Sequence, residues 1–170
     1  MCSLQPVNLA LCGRCIGRTL PGCDSGLRRL YNYWDAKRGE REFPARADID
    51  PLDLPALLPN IFLVDVLPAD APDQNGTGQP QFRYRLAGTR VDEIHGQSLT
   101  GKMPSDIKTA EIANEVESQY RQVLVDRRPR CDHVVLLARD HSFWHYERLI
   151  LPLSEDGVSI NMLLCAIYLT

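Results

Sequence analysis

The chain has 170 residues, 44% of them hydrophobic and 24% charged, with a formal net charge of −3. This length and composition suit one globular domain with a sizeable core, and they exclude a membrane helix, because no apolar run approaches the roughly 20 residues that spanning requires. The positive charges are dispersed, so the sequence lacks the basic stripe typical of nucleic-acid binding. Arg14, the first positive charge, follows the weakly apolar beginning instead of preceding it, which argues against a signal peptide and predicts a cytoplasmic protein.

The first 25 residues hold four of the six cysteines, and we predict that residues 1–25 are a tail or short helix before a single domain at 26–170. Cys12 and Cys15 have the two-residue gap of a zinc knuckle or a redox dithiol. A structural zinc site needs a second pair of ligands, which only Cys2 and Cys23 offer, and no thioredoxin-like unit surrounds the motif. Reduced, inert cytosolic thiols are the favoured interpretation, and a thiol or zinc-binding protein is the less favoured one.

An amphipathic helix is predicted to begin after Asp24 or Ser25 and to end at Gly39. Four apolar side chains recur along it at helical spacing: Leu27, Leu30, Tyr31 and Trp34. This stripe covers either the chain's own sheet or the same helix of a second copy, and the pattern alone does not decide between them. Because an exposed stripe of this size promotes aggregation, we predict a homodimer formed through these four side chains.

Two strands are predicted at residues 61–67 and 82–87, joined by a loop rich in Asp, Gly, Pro and Asn. Antiparallel pairing that sets Asp65 opposite Arg83 makes the other face wholly apolar. The same register aligns Val66 with Phe82, Val64 with Tyr84, and Phe62 with Leu86. One register thus satisfies both the apolar face and the charge pair, which favours this hairpin.

Gly88 interrupts the second strand, and a short helix follows it that Thr89 can cap and Gly96 can end. One face of this helix carries Val91, Ile94 and His95. The chain is therefore predicted to pass from a strand through a glycine hinge into a helix.

The second half of the chain is predicted to contain one long helix and three strands. The helix begins near Ser105 or Asp106 and runs to about Asp126, because Pro129 prevents its continuation. The strands cover residues 132–138, 143–153 and 159–169, with polar turns between them. Both alternations of the last two strands contain apolar residues, which is typical of central strands covered on both sides.

Residues 82–96, followed by Leu99-Thr100-Gly101, resemble the first half of a PAS sensor domain, in which a strand passes into short helices that wall a pocket. Four further segments are similar to a bacterial PAS branch formerly described only as a domain of unknown function: 30–34, 44–51, 57–59 and 146–153. The resemblance covers about 27 to 169. It implies an α/β fold of the α+β kind, with short helices and one long helix on one face of a five-stranded antiparallel sheet, preceded by the amphipathic helix.

In such a fold the first hairpin, the short helix and the long helix enclose a site of the kind that binds small molecules. The residues predicted to line it are Tyr84, Leu86, Ile94, His95, Val116 and Tyr120. Tyr84, Tyr120 and His95 would supply hydrogen bonds, while Ile94 and Val116 would shape the cavity. A tightly packed core uses the same side chains, so a pocket and a filled core both remain open.

No catalytic or cofactor motif accompanies this predicted pocket. The sequence has no Gly-x-Ser-x-Gly element and no glycine-rich phosphate loop, and His133, His141 and His145 lack helical metal spacing. Glu147 and Arg148, adjacent in a predicted strand, are interpreted as a structural ion pair. Domains of the family this sequence resembles bind haem through a histidine of the long helix and photoreactive flavin through a cysteine in an Asn-Cys-Arg motif. The predicted long helix contains no histidine and the sequence has no such motif, so neither cofactor is expected. The cofactor is left unknown, and we predict that the protein is not an enzyme.

The favoured interpretation is a signalling or sensory module that binds a small ligand, a protein partner or both, without an output domain of its own. The alternative is a ligand-free module for dimerisation or for adapting one protein to another. We expect an unidentified small molecule and a protein as partners, and neither nucleic acid nor membrane.

We predict that the thiols of the first 25 residues are dispensable for folding, since the periodic part of the sequence begins only near Leu27. Replacing both Cys12 and Cys15 by Ser should shift the melting temperature by less than about 2 °C. Elemental analysis of the purified protein should find no stoichiometric zinc. Stoichiometric zinc, together with unfolding of the double variant, would overturn this interpretation.

Overall fold

The computed structural model of the protein describes residues 14–15, 24–68, 78–107, 110–137 and 143–170. Its strands are β1 (Arg14–Cys15), β2 (Ile61–Leu67), β3 (Gln81–Ala87), β4 (Arg130–Leu137), β5 (Phe143–Leu153) and β6 (Met162–Leu169). Its helices are α1 (Ser25–Arg38), α2 (Thr89–His95) and α3 (Ala110–Asp126). Short 3-10 turns lie at Arg46–Asp48, Pro51–Asp53, Leu58–Asn60 and Pro104–Asp106. None of the helices described is both long and apolar enough to cross a membrane.

Several features predicted from the sequence lie outside the described residues. They are the thiols of Cys2, Cys12 and Cys23, the middle of the loop between β2 and β3, and the turn that contains His141. The division into a tail at 1–25 and a domain at 26–170 therefore stays a prediction.

The sheet is antiparallel, and its strand order is β1-β4-β5-β6-β2-β3. The first and last of its five long strands, β2 and β6, are neighbours, so that Phe62 pairs with Cys165. This confirms the predicted five-stranded antiparallel sheet with its helices. β1 adds a two-residue strand at the edge, where Arg14 pairs with Cys131. A strand this short has no period that a sequence pattern can show.

β5 separates two apolar cores, because successive side chains of a strand point to opposite faces of the sheet. On one face, which we call the α3 face, Tyr146 and Ile150 pack with the buried side chains of α2 and α3. On the other, the α1 face, Leu149, Leu151 and Leu153 pack with the buried side chains of α1. The apolar residues in both alternations of β5 are explained by this double covering.

The apolar stripe of α1 packs on the chain's own sheet. Leu27 and Leu30 are fully buried, and Tyr31 and Trp34 are almost so. The Trp34 indole Nε1 donates a hydrogen bond of 2.8 Å to the backbone oxygen of Pro152 in β5. The prediction that these four side chains form a homodimer interface is therefore wrong, because the chain's own sheet already covers the stripe. Dimerisation through another surface stays a prediction.

The pairing of β2 with β3 follows the predicted register only in part. Three predicted pairs are present: Asp65 with Arg83, Val66 with Phe82, and Val64 with Tyr84. A β-bulge then places Leu63 opposite Leu86 and adds one residue, Arg85, to β3. Arg83 and Arg85 both bind the carboxylate of Asp65, at 3.1 and 2.7 Å. As a result Leu86 leaves the α3 face and is 50% exposed, which corrects its predicted position.

The chain passes close to its own backbone between β3 and α2. Gly88 donates its N–H to the backbone oxygen of Ile61 at 2.8 Å, and a Cβ atom at this position would collide with the backbone oxygen of Leu58. Gly88 is also the N-cap of α2, so Thr89 is the first helical residue instead of the predicted cap. Gly96 ends the helix in a left-handed conformation with a φ of 66°, as predicted.

The long helix α3 ends at Asp126 as predicted, but it begins at Ala110. A separate 3-10 turn, Pro104–Asp106, occupies the predicted start. The carboxylate of Asp106 accepts a hydrogen bond of 2.8 Å from the N–H of Met103, so it caps this turn and not the long helix.

Leu30→Ala should lower the free energy of unfolding by about 2 to 5 kcal/mol, because it removes a fully buried side chain from the layer between α1 and the sheet. Urea unfolding followed by circular dichroism measures the change. Leu52→Ala is the control, since Leu52 is 86% exposed and its truncation should cost less than about 0.5 kcal/mol. Equal unfolding midpoints for the two variants would contradict the packing of α1 on the sheet.

Candidate functional site

A small cavity lies between the α3 face of the sheet and the helices α2 and α3. Its volume is about 10 Å³, which is room for about one water molecule. The side chains that line it are Phe62, Tyr84, His95, Leu99, Val116, Tyr120, Tyr146, Arg148 and Ile167. A mainly apolar and aromatic lining with a few polar groups is typical of a small-molecule site.

Four of the six predicted site residues surround this cavity: Tyr84, His95, Val116 and Tyr120. Ile94 is buried in the same core, but it is not part of the cavity lining. Leu86 lies on the other face of the sheet because of the bulge in β3. Four predicted residues thus lie at the cavity, and ligand binding by any of the six stays a prediction.

Sequence reasoning missed Arg148, a buried charge at the cavity. Arg148 is 3% exposed, and its Cζ lies 5.7 Å from the centre of the Tyr120 ring. Its cross-strand neighbour is Asp132, but Nη2 of Arg148 is 3.7 Å from Oδ2 of Asp132, too far for a hydrogen bond. Asp132 is instead bound by Nε of Arg130, at 2.8 and 2.9 Å from its two oxygens. Among the described residues, Nε and Nη2 of Arg148 have no hydrogen-bond partner.

The predicted ion pair between Glu147 and Arg148 is wrong, since neighbouring residues of a strand point to opposite faces. Glu147 lies on the α1 face, where its carboxylate accepts a hydrogen bond of 2.7 Å from the N–H of Asp24. Arg148 shares the α3 face with Tyr146 and Ile150. An arginine with an apolar residue two positions before it and another two positions after it, here Tyr146 and Ile150, is the sequence signal that identifies such a buried charge.

Three buried tyrosines border the cavity together with Arg148. Burial raises the pKa of Tyr84 to about 12 and raises the pKa values of Tyr120 and Tyr146 as well, so all three stay protonated at neutral pH. The Tyr120 hydroxyl interacts with that of Tyr84, but the two do not form a hydrogen bond of good geometry. Burial opposes the charge of Arg148, whereas Asp132, and Tyr120 and Tyr146 once they ionise at strongly alkaline pH, favour it, and the pKa of the guanidinium is raised. The cavity is therefore lined by neutral hydroxyls and one permanent positive charge.

In the part of the chain that the structure describes, no group of three or more side chains could hold a metal ion. His133 and His145 lie on neighbouring strands with ring centres 5.9 Å apart. His95 donates from Nδ1 to the backbone oxygen of Val91 at 2.8 Å. Burial raises the pKa of the Cys165 thiol, so this cysteine is not a ready thiolate.

A five-stranded antiparallel sheet with α2 and α3 packed over a small cavity on one face is the architecture of an α+β domain. The chain belongs to the PAS domain family, whose sequence profile matches residues 24–167. This confirms the family resemblance and identifies the fold as that of a signalling sensor module. No curated protein matches the chain.

Solved structures with a similar fold include light-oxygen-voltage proteins. An RNA-binding light-oxygen-voltage receptor matches at 10% identity and a TM-score of 0.50, over 94% of this chain and 38% of that chain. A light-oxygen-voltage protein of Rhodobacter sphaeroides matches at 12% identity and a TM-score of 0.47, over 71% and 68%. The PAS domain of an HTR-like protein from Haloarcula marismortui matches at 20% identity and a TM-score of 0.43, over 70% and 90%. The chain thus spans well under half of the first of these proteins, and at 10% identity that similarity concerns the fold alone.

The buried tyrosines make the stability of the protein sensitive to alkaline pH. Between about pH 10, where tyrosine ionises in an unfolded chain, and about 12, where Tyr84 ionises in the folded one, only the unfolded chain releases this proton. The free energy of unfolding should therefore be unaffected below about pH 10 and fall as the pH rises towards 12, by roughly 2 to 3 kcal/mol for Tyr84. Urea unfolding at several pH values measures the slope. Tyr84→Phe should make it shallower, and an unchanged slope would contradict the burial of this hydroxyl.

Proposed function

We propose that this protein is a sensory module that binds a small polar molecule in the cavity and passes the signal to a protein partner. One observation carries the proposal: buried polar atoms at the cavity have no hydrogen-bond partner in the described residues. They are Nε and Nη2 of Arg148, a residue that lines the cavity. A buried polar group left unpaired costs about 1 to 3 kcal/mol, and more if it is charged, so a bound molecule with hydrogen-bonding atoms would stabilise the fold.

The residues around the cavity have distinct roles in this proposal. Tyr84, Tyr120 and Arg148 supply hydrogen bonds from the interior. Val116 on α3 and His95 on α2 are the most exposed of the lining side chains, so they form the outer wall. A ligand larger than a water molecule enters by displacing these two side chains.

The volume of the cavity restricts the proposal to a small ligand. The cavity has room for about one water molecule, far less than a flavin or haem ring system needs, and aromatic side chains together with Arg148 occupy the interior. The residues present do not fit either cofactor. We therefore propose a small metabolite and no prosthetic group.

β5 connects the cavity with α1, which we propose as the element that a protein partner recognises. Arg148 borders the cavity, while Pro152 of the same strand accepts the hydrogen bond of Trp34. Glu147 of β5 accepts a hydrogen bond from Asp24, the N-cap of α1. A displacement of β5 on ligand binding would therefore be transmitted to both ends of the contact with α1.

The second candidate is a ligand-free module for dimerisation or adaptor binding. The small volume of the cavity favours it, since tightly packed side chains fill nearly the whole interior. In that case the side chains on the α3 face only form the hydrophobic core and bind no ligand, and a second copy or a partner binds elsewhere on the surface. Neither candidate requires catalysis, and we propose that the protein is not an enzyme.

Native mass spectrometry of freshly purified protein, followed by a thermal-shift screen of charged and neutral small metabolites, separates the two candidates. We expect at least one compound to raise the melting temperature of the wild type. Val116→Trp should abolish this shift because the larger ring fills the cavity. Val125→Trp is the matched control, since Val125 lies on the same helix and is 76% exposed.

Tyr120→Phe provides a second test that does not depend on tolerance of a bulky side chain. The hydroxyl makes no hydrogen bond of good geometry among the described residues, so its removal should change the unfolding midpoint little and weaken ligand binding. A screen in which no compound stabilises the wild type would favour the adaptor. A shift of equal size in the wild type, Val116→Trp and Tyr120→Phe would place the ligand outside this cavity.

A further inference from the structure

Arg127 shows how an arginine of this protein binds an anion side-on. Its Nε and Nη2 lie 2.9 and 2.7 Å from the two carboxylate oxygens of Glu42. The two N–H bonds of this edge are parallel and in one plane, so they match a planar group with two oxygens. The same two atoms of Arg148, Nε and Nη2, are the ones left without a hydrogen-bond partner in the described residues.

Asp132 balances the positive charge of Arg148 only in part. It approaches Nη2 no closer than 3.7 Å, and both of its oxygens already accept hydrogen bonds from Nε of Arg130. The other polar groups that line the cavity are the tyrosine hydroxyls and the imidazole of His95. None of these carries a negative charge at neutral pH, so the edge of Arg148 lacks an anionic partner within the cavity lining.

The charges beside the cavity are also unbalanced. Arg130 and Arg148 contribute two positive charges, whereas Asp132, which is 1% exposed, contributes one negative charge. A buried charge without a full counter-charge is costly. A bound monoanion would remove the imbalance, and a neutral ligand would not.

From these observations we infer that the ligand of this cavity is a small carboxylate, held side-on by Nε and Nη2 of Arg148. The inference rests on the sensory function proposed above and names its ligand class. The Tyr120 hydroxyl donates a third hydrogen bond to one carboxylate oxygen. The substituent of the carboxylate packs against Phe62, Val116 and Ile167, which line the same cavity and suit a short aliphatic group.

The test replaces sodium chloride by sodium formate, acetate or propionate at constant ionic strength and pH, and follows the melting temperature of the full chain. Acetamide has nearly the shape of acetate without its charge and is the matched neutral compound. A concentration-dependent rise with carboxylates and none with acetamide is expected. Isothermal titration calorimetry then gives the Kd of the carboxylate that produces the largest rise.

Variants of Arg148 distinguish binding that needs the two N–H groups of the guanidinium edge from binding that needs only a positive charge. Arg148→Met should weaken carboxylate binding by roughly 10- to 100-fold, as expected for charge-assisted hydrogen bonds. Arg148→Lys keeps the charge but lacks the two-pronged edge, so it should lose about tenfold or more. Because Asp132 keeps its bonds to Arg130, Arg148→Met should fold and melt in chloride at or above the wild-type temperature.

Arg121→Met is the matched control. Arg121 also lies beside an aromatic ring, with its Cζ 5.7 Å from the centre of Phe82, but it pairs with Glu117 at 2.7 Å and does not line the cavity. This variant should bind the carboxylate as the wild type does. Val116→Ala, which enlarges the cavity, should shift the preference towards propionate.

The possible results separate this inference from the proposed function. An equal response to acetamide and acetate would overturn the carboxylate inference and leave the sensory function standing. Unchanged affinity in Arg148→Met would place the anion at another site and would overturn it too. If no compound, charged or neutral, stabilises the wild type, the carboxylate inference and the sensory function fail together.

Discussion

Successive side chains of β5 point to opposite faces of the sheet, and because both faces are covered, one strand belongs to two cores at once. Its leucines hold α1, while Tyr146 and Ile150 complete the core below α3. Arg148 interrupts this apolar strand with a charge that is only 3% exposed. The positive charge at the cavity therefore comes from one residue, and the arrangement of Asp132 beside it decides how much of that charge is already balanced.

The parts of the fold that the sequence pattern predicted well depend on interactions between residues that are close in the chain or paired across two strands. Opposite charges at Asp65 and Arg83, together with the apolar alternation around them, determined most of the hairpin register. Gly88 and Gly96 bracketed α2 because backbone crowding and a left-handed conformation favour glycine at those two places. In each case the physical cause acts over a few residues or across one strand pair, so the sequence itself displays it.

Features that depend on distant contacts could not be predicted in the same way. The alternation of β3 continues unbroken through Leu86, and only the second arginine that reaches Asp65 reveals the bulge. The stripe of α1 looks the same whether a sheet or a second copy covers it. The cavity is harder to predict from sequence than either of these, because a space of about 10 Å³ depends on small displacements among tightly packed side chains. Four of the side chains that line it were predictable from the sequence, and the charge of Arg148 was not.

The double burial of β5 also restricts how proteins descended from this one can diverge. Losing a single residue within the strand would exchange the faces of all residues on one side of the deletion. A leucine would then enter the cavity, or the guanidinium would enter the apolar layer beneath Leu27 and Leu30. Substitutions, and insertions or deletions in pairs, preserve the alternation. Relatives can therefore change the chemistry of the cavity by single substitutions, provided that the strand gains or loses residues only in even numbers.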